Sequence, residues 1–339
     1  MNPRSRILKI VRENQRFLLL SHANPDGDAI GSMFALGWIL RSLGKEVRYC
    51  NESGLPRQYS WLAAADRDVL GEVPADGHDW AIALDCGDAS RLGGSVESAL
   101  DFHRCVNIDH HQGNTEFAAI NWIEQRSSVG EMIALLARDL GMPPAGALGE
   151  ALYLALVTDS GFFSYSNTTA ETLRIAADIL DQGLDLDRFN ANLLRQWSQA
   201  TIKLHGLALQ SAFLAVNGRV GVVAIDEDMV SRTGATWEDS DNLVDYMRRV
   251  RGVEVSLCLK EREQGRTKMS LRSWGEVDVR AIAEGLGGGG HANAAGGVLN
   301  AGLREALDRI LWHIARHMGE SRGESFADNQ SPRTRSSLP

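Results

Sequence analysis

What the chain lacks narrows its function first. No apolar run in its 339 residues approaches the roughly 20 needed to cross a bilayer. The opening stretch, Met1–Asn14 (MNPRSRILKIVREN), is charged and without the long apolar segment of a signal peptide. A cytoplasmic protein with no membrane contact is therefore expected. The four cysteines, Cys50, Cys86, Cys105 and Cys258, form no C-x-x-C pair. That excludes a cysteine-based zinc knot and a disulfide framework, and it predicts buried reduced thiols. Positive charge is in deficit too, with a formal net charge of -9. Long-range steering of a long polyanion is disfavoured by that balance. A short nucleotide gripped by a few local cations is not, and aspartates that hold metal would inflate the negative count. No internal repeat is present.

What the chain does contain is ordinary for a soluble protein: 44% hydrophobic and 23% charged residues. Its length suggests two domains. In the first half, short apolar runs at Arg16–Ser21, Glu46–Cys50, Trp80–Leu84 and Arg104–Ile108 alternate with helical patterns such as Ile30–Leu43. This predicts a parallel sheet covered by helices. Ser128 and Glu131 have the spacing of a capping box and open a helix to Leu140. Gly149–Thr158, Ala170–Gln182, Leu186–Trp197 and Ser198–Leu214 read as further helices, with the inter-domain connection within Asp185–Gln199. Beyond it, Val220–Ile225, Val253–Lys260 and Thr267–Ser273 alternate like half-buried antiparallel strands. Ser240–Val250, Val277–Glu284 and Leu303–His317 read as the helices among them. Residues 319–339 are polar and read as a disordered tail.

Four segments carry chemistry. Ser21-His-Ala-Asn-Pro-Asp-Gly-Asp-Ala-Ile-Gly-Ser32 places His22, Asp26 and Asp28 directly after a strand. Asp85 and Asp109-His110-His111 each follow an apolar strand, and residues just past the ends of parallel strands share one crevice. Asp159 closes the apolar helix ALYLALVTD, where a carboxylate opposes the helix dipole unless a cation lies nearby. Each segment alone also has a plain reading as a cap or a polar turn. Together, Asp26, Asp28, Asp85 and Asp159 would repel one another without metal, and they match the charge of two divalent ions. Mixed nitrogen and oxygen donors suit Mn²⁺ better than Mg²⁺, with Zn²⁺ and Co²⁺ as alternatives. Two such ions about 4 Å apart would activate a shared water for attack on phosphorus.

In this order the segments resemble the DHH phosphoesterase superfamily, named for the motif at Asp109-His110-His111. Gly287-Gly-Gly-Gly-His-Ala-Asn-Ala-Ala-Gly296 is similar to the glycine-rich signature of the DHH-associated substrate domain. The resemblance implies an α/β chain: a parallel-sheet DHH catalytic domain at 1–185, a helical linker at 186–213, and a smaller α/β substrate-binding domain at 214–318 across a cleft. It implies that His22, Asp26 and Asp85 bind one metal, and that Asp28, Asp85, His110 and Asp159 bind the other, with Asp85 shared. His111 would lie beside the substrate phosphate, and Asp109 would orient the histidines. Arg272, Ser273, Gly288, Gly289, Gly290 and His291 would contact substrate phosphate. Ser127 and Ser128 would lie near the substrate or cap a helix.

By length and domain content, the chain resembles the stand-alone branch that degrades short RNA and removes the 3′-phosphate of adenosine 3′,5′-bisphosphate. Hydrolysis of cyclic or linear dinucleotides, a long-strand exonuclease, an inorganic pyrophosphatase and a non-catalytic nucleotide sensor are the competing expectations. A homodimer is implied by resemblance alone.

Overall fold

A computed structural model of the chain describes residues 2–62, 69–75, 77–241, 243–263 and 265–319. The tail expected from 319 onward lies outside the described residues beyond Gly319. The chain divides into two units, Met1–Gln196 and Trp197–Pro339.

The first unit runs α1 (Pro3–Glu13), β1 (Arg16–Ser21), α2 (Gly27–Ser42), β2 (Glu46–Cys50), β3 (Val69–Leu70), β4 (Trp80–Leu84), α3 (Gly94–Ala99), β5 (Cys105–Asp109), β6 (Ile120–Ile123), α4 (Val129–Asp139), α5 (Gly146–Asp159), α6 (Ala170–Asp181) and α7 (Leu186–Leu194). Its sheet has the order β3-β2-β1-β4-β5-β6, and every pairing is parallel. Strand β1 shows why the apolar run RFLLLS belongs at the centre. Phe17 and Leu19 enter the core on one face, and Leu18 and Leu20 enter a second core on the other. A strand buried on both sides has no polar face to show. Helices α2 and α5 are apolar nearly all round and pack together. A Cβ on Gly31 would lie 2.5 Å from the Ala151 carbonyl oxygen, so only glycine permits this approach.

The sheet order creates a switch point. From β1 the chain winds outward through β2 and β3, then returns to β4 on the other side of β1 and winds away through β5 and β6. Loops after β1 and β4 therefore diverge and leave a crevice at the carboxyl ends of the strands.

The second unit runs α8 (Gln199–Gln210), β7 (Phe213–Ala215), β8 (Val220–Ile225), α9 (Glu227–Thr233), α10 (Leu243–Met247), β9 (Val255–Glu263), β10 (Arg266–Ser273), α11 (Val279–Glu284), β11 (Gly289–His291), β12 (Ala294–Leu299) and α12 (Leu303–His317). Its sheet order is β11-β12-β10-β9-β8-β7. Leu257, Leu259, Met269 and Leu271 face a core with α11 and α12. Val223, Ile225 and Cys258 face a second core with α8, α9 and α10.

Several expectations change. β8 pairs with β9 in parallel, not antiparallel, and is buried on both faces. The crossover through α9 and α10 makes that possible. The helix read as Ser198–Leu214 ends at Gln210, and β7 follows. α7 falls in the first unit and α8 in the second, so 186–213 is divided between them. The elements α1, β6, β7, α9, β11 and β12 were not expected from the sequence, although α1 buries Ile7, Ile10 and Val11 at helical spacing. All four cysteines are buried and unpaired, and burial pushes the thiols of Cys86 and Cys105 up to about 12. Among the described residues, no helix is long and apolar enough to cross a membrane.

Candidate metal centre

The switch point collects the acidic and imidazole residues. His22 follows β1, Asp85 follows β4, and Asp109 ends β5 just before His110 and His111. Asp85 sits at the centre. Its φ of 57° is left-handed, a conformation uncommon outside glycine, asparagine and aspartate. This turn lets the chain leave the sheet at once, while the Asp85 amide still donates to the Ile108 carbonyl at 3.0 Å. The side chain is buried, and its Oδ1 has no hydrogen-bond partner among the described residues. A buried carboxylate oxygen without a partner is costly, and a cation is one remedy.

The histidines around Asp85 are aimed by their backbones. The Nδ1–H of His22 donates to the Ala23 carbonyl at 2.9 Å, and that of His110 to the Arg126 carbonyl at 3.0 Å. A carbonyl only accepts, so Nδ1 carries the hydrogen in both rings and Nε2 turns toward the carboxylates. His22 Nε2 lies 3.6 Å from Asp85 and 4.0 Å from Asp26. His110 Nε2 lies 3.8 Å from Asp28 and 3.6 Å from both Asp85 and Asp159. His111 is held differently: its Nδ1 meets Asp109 Oδ1 at 2.7 Å, and Asp109 Oδ2 accepts from Asn114 at 2.6 Å. Asp109 therefore orients His111, whereas His110 takes its orientation from Arg126 rather than from Asp109 as expected.

The remaining carboxylates are fixed by helix ends. Asp26 caps α2, accepting from the amides of Asp28 and Ala29. Asp28 accepts from the Val129 and Gly130 amides at the start of α4, at 2.7 and 2.9 Å, and from the Ser32 hydroxyl at 2.8 Å. Asp159 is the last residue of α5, and Asn167 donates to its carbonyl.

Two clusters result: His22, Asp26 and Asp85, and Asp28, His110 and Asp159. Ligand atoms within each lie within 4.8 Å of one another. Asp85 also groups with His110 and His111. The six residues expected as ligands are thus brought together in two groups able to hold divalent cations.

The charges agree with that fit. Burial alone would raise Asp85, but His110, His22 and His111 hold it well below the usual carboxylate range. Burial and the charge of Asp85 push Asp28 well above that range. Burial pushes Asp159 to about 7, with Asp85 adding repulsion and His110 opposing it. Burial would lower His110, yet Asp85, Asp28 and Asp159 raise it to about 11. Without cations, protons supply the missing positive charge.

The other expected contacts divide. Ser127 and Ser128 are fully buried. The Ser127 hydroxyl donates to Glu131 at 2.7 Å, and Ser128 caps α4 by accepting from the Glu131 amide at 3.1 Å. Both hydroxyls are engaged within the protein, and only half of the expected capping box forms. The Glu131 carboxylate turns instead to Arg126, Ser127 and Thr172.

In the second unit, Arg272 is half-exposed on β10, while Ser273 is buried and accepts from Asn293 at 3.0 Å. The amides of Gly287 and Gly288 donate to the Glu284 and Ala283 carbonyls at the end of α11, so neither is offered to phosphate. A Cβ on Gly288 would meet the Gly296 carbonyl oxygen at 2.2 Å, and one on Gly290 the Ala294 carbonyl oxygen at 2.5 Å. These two glycines serve the close β11–β12 pairing, whereas Gly289 faces open space. The His291 side chain lies outside the described residues.

Sequence reasoning missed the supports: Arg126 and Glu131 behind His110, Asn114 behind Asp109, Asn167 behind Asp159, and Asn51. Asn51 is buried and donates to the Ser21 and His22 carbonyls at the end of β1. Buried amides beside motif residues were the available signal. An open pocket of about 300 Å³, lined by His110, His111, Gln112, Asn114, Ile123 and Gln125 among others, borders the centre.

Comparison with known proteins places this geometry. Residues 16–156 match the DHH family N-terminal domain, and residues 217–319 match the DHHA1 domain. The chain is 33% identical over 298 residues to the bifunctional oligoribonuclease and PAP phosphatase NrnA of Thermus thermophilus, covering 86% of this chain and 87% of that one. It is 26% identical over 312 residues to the protein of the same name from Bacillus subtilis, covering 91% and 96%. A solved structure of an exopolyphosphatase-related protein from Bacteroides fragilis shares the fold with a TM-score of 0.87, at 24% identity, covering 94% of this chain and 96% of that one. The chain belongs to the DHH family, with a DHH N-terminal domain followed by a DHHA1 domain.

Proposed function

We propose that this protein is a metal-dependent phosphoesterase that hydrolyses short oligoribonucleotides and the 3′-phosphate of adenosine 3′,5′-bisphosphate. The observation that carries the reading is the buried Asp85 carboxylate, one of whose oxygens has no hydrogen-bond partner among the described residues, grouped with His22 and Asp26 on one side and with His110 and His111 on the other. The relatives named as oligoribonuclease and PAP phosphatase supply the substrate class.

His22, Asp26 and Asp85 would hold one divalent cation, and Asp28, Asp85, His110 and Asp159 a second. When bound, such a pair supplies charge neutralisation and water activation for in-line attack on phosphorus. The mixed donor set suits Mn²⁺. Around it the chain's own groups orient and exclude. Ala23 and Arg126 carbonyls aim the two imidazoles. Asp109 and Asn114 hold His111 in one ring orientation, suited to contact a phosphate oxygen. In the second unit Arg272 is the candidate phosphate grip, its planar fork matching two phosphate oxygens. Four unpaired cysteines suit a reducing compartment, so the protein is read as cytoplasmic.

The test is a product time course with Mn²⁺ on adenosine 3′,5′-bisphosphate, RNA from dinucleotide to long strand, DNA and cyclic di-AMP. The bisphosphate and the shortest RNAs should turn over fastest. Preference for long strands or for the cyclic dinucleotide would replace the substrate assignment. Absence of turnover on all of them with Mn²⁺, Mg²⁺, Co²⁺ and Zn²⁺ would remove the enzyme reading.

A further inference from the structure

Three consecutive residues after α5 take the left-handed backbone: Gly161 at φ 55°, Phe162 at φ 56° and Phe163 at φ 62°. Glycine adopts that conformation freely, but a bulky side chain there is strained. Two of the three have a reason in the packing. The Tyr165 ring lies so close to Gly161 that a Cβ there would come within 2.4 Å of it. Phe163 is half-buried against the core of the first unit, with its ring 6.2 Å from that of Tyr153. Phe162 has no such reason. It is 49% exposed and takes no part in the cores of the unit. A lone exposed apolar residue is ordinary, but one held outward at the cost of backbone strain is not.

The turn that carries Phe162 is tied to the metal centre. The Phe162 amide donates to the Val157 carbonyl at 2.7 Å, and the Phe163 amide to the Ser160 hydroxyl at 3.0 Å. At the far end of the turn, Asn167 donates to the Asp159 carbonyl at 3.1 Å and to the Ser127 carbonyl at 2.9 Å. Asp159 in turn lies 3.6 Å from His110. Phe162 follows Asp159 by three residues, so their Cα atoms are at most about 11 Å apart. Strain that packing does not explain, held rigidly beside a reactive centre, points to a role in the reaction.

We propose that Phe162 is the stacking face for the nucleobase next to the scissile phosphate. One ribose separates that base from its phosphate, so a phosphate at the carboxylate cluster brings the base within reach of the ring. Stacking on an aromatic ring accepts any base, because every base has a flat π-face. The first unit thus holds one nucleoside without reading its identity, and purines, with the larger face, gain most. The assignment rests on the proposed function, since the phosphoester at the metal centre is what brings a base to this turn.

The experiment measures steady-state kinetics of the full chain with Mn²⁺ on adenosine 3′,5′-bisphosphate and on ribose 3,5-bisphosphate, which keeps both phosphates and lacks the base. Phe162→Ala should lower kcat/KM for the nucleotide about tenfold, mostly through KM, and leave the base-free compound unchanged. Phe162→Trp should retain the wild-type preference for the nucleotide. Equal losses on both compounds, or no loss on the nucleotide, overturn the stacking role. Phe162→Gly relieves the left-handed strain, so its melting temperature should not fall below that of the wild type. A fall would mark the ring as a packing residue and overturn the role as well. If the wild type turns over neither compound, both are titrated into the chain by calorimetry. A preference for the nucleotide that Phe162→Ala abolishes would then keep the stacking face and remove the hydrolase reading. Turnover indifferent to Phe162 would do the reverse.

Discussion

At the scale of single residues, Asp85 combines three demands that no substitute meets together: burial, a left-handed backbone and a charge facing both His22 and His110. Asparagine tolerates the left-handed backbone better than alanine, so Asp85→Asn isolates the charge. The variant should fold, lose bound metal and lose about a hundredfold or more in rate, the kinetic equivalent of a few kcal/mol. Metal content and turnover measured on the same folded sample decide it, and near-normal turnover would sink the shared-ligand role. The protonation of the centre makes a second prediction. His110, raised to about 11, carries a proton at neutral pH that it must lose to ligate, and Asp159, at about 7, adds another below that value. Metal affinity should therefore climb with pH, about tenfold per unit for each proton released, and the gain should fade near pH 11. Titration calorimetry in buffers of different ionisation enthalpy reads the released protons directly. No proton release at neutral pH would contradict the assignment of His110 as a ligand.

At the scale of elements, the sequence showed the long and apolar pieces well. β1, β2, β4, β8 and α12 fall on the predicted residues, because continuous apolar runs and strong helical periodicity leave little choice. The motif residues were legible for a related reason: each follows a strand or ends a helix, and parallel topology sends such ends to one place. The supports were not legible. Arg126 aims His110 through a backbone carbonyl, which no side-chain pattern encodes, and Glu131 looked like half of a capping box. The glycine run is ambiguous in the sequence, because close strand pairing and anion binding ask for the same residue. Element packing predicts its own outcomes. Gly31→Ala would drive a Cβ into the Ala151 carbonyl where α2 meets α5, costing about 1–3 kcal/mol. Ser128→Ala removes one cap of α4 and should cost about 1 kcal/mol. Chemical denaturation measures both. Gly31→Ala should be the larger loss, and an effect smaller than that of Ser128→Ala would contradict the tight α2–α5 approach.

At the scale of the whole molecule, the two units have separate cores. Every residue of the cores in the first unit precedes Gln196, and those of the second begin at Leu204. All the candidate metal ligands lie in the first unit, whose converging carboxylates repel when no cation is present. Cations should thus stabilise one unit and leave the other alone. At a free metal concentration about a hundredfold above the dissociation constant, one site contributes about 2.7 kcal/mol. For a unit of this size that corresponds to a rise in melting temperature of roughly 5–10 °C. Scanning calorimetry with EDTA and with Mn²⁺ should show one transition moving up by that amount and a second staying in place. Asp85→Asn should abolish the shift without moving the second transition. If both transitions moved together with metal, stabilisation would not be confined to the cluster at the switch point, and the assignment of the ligands to the first unit alone would fail.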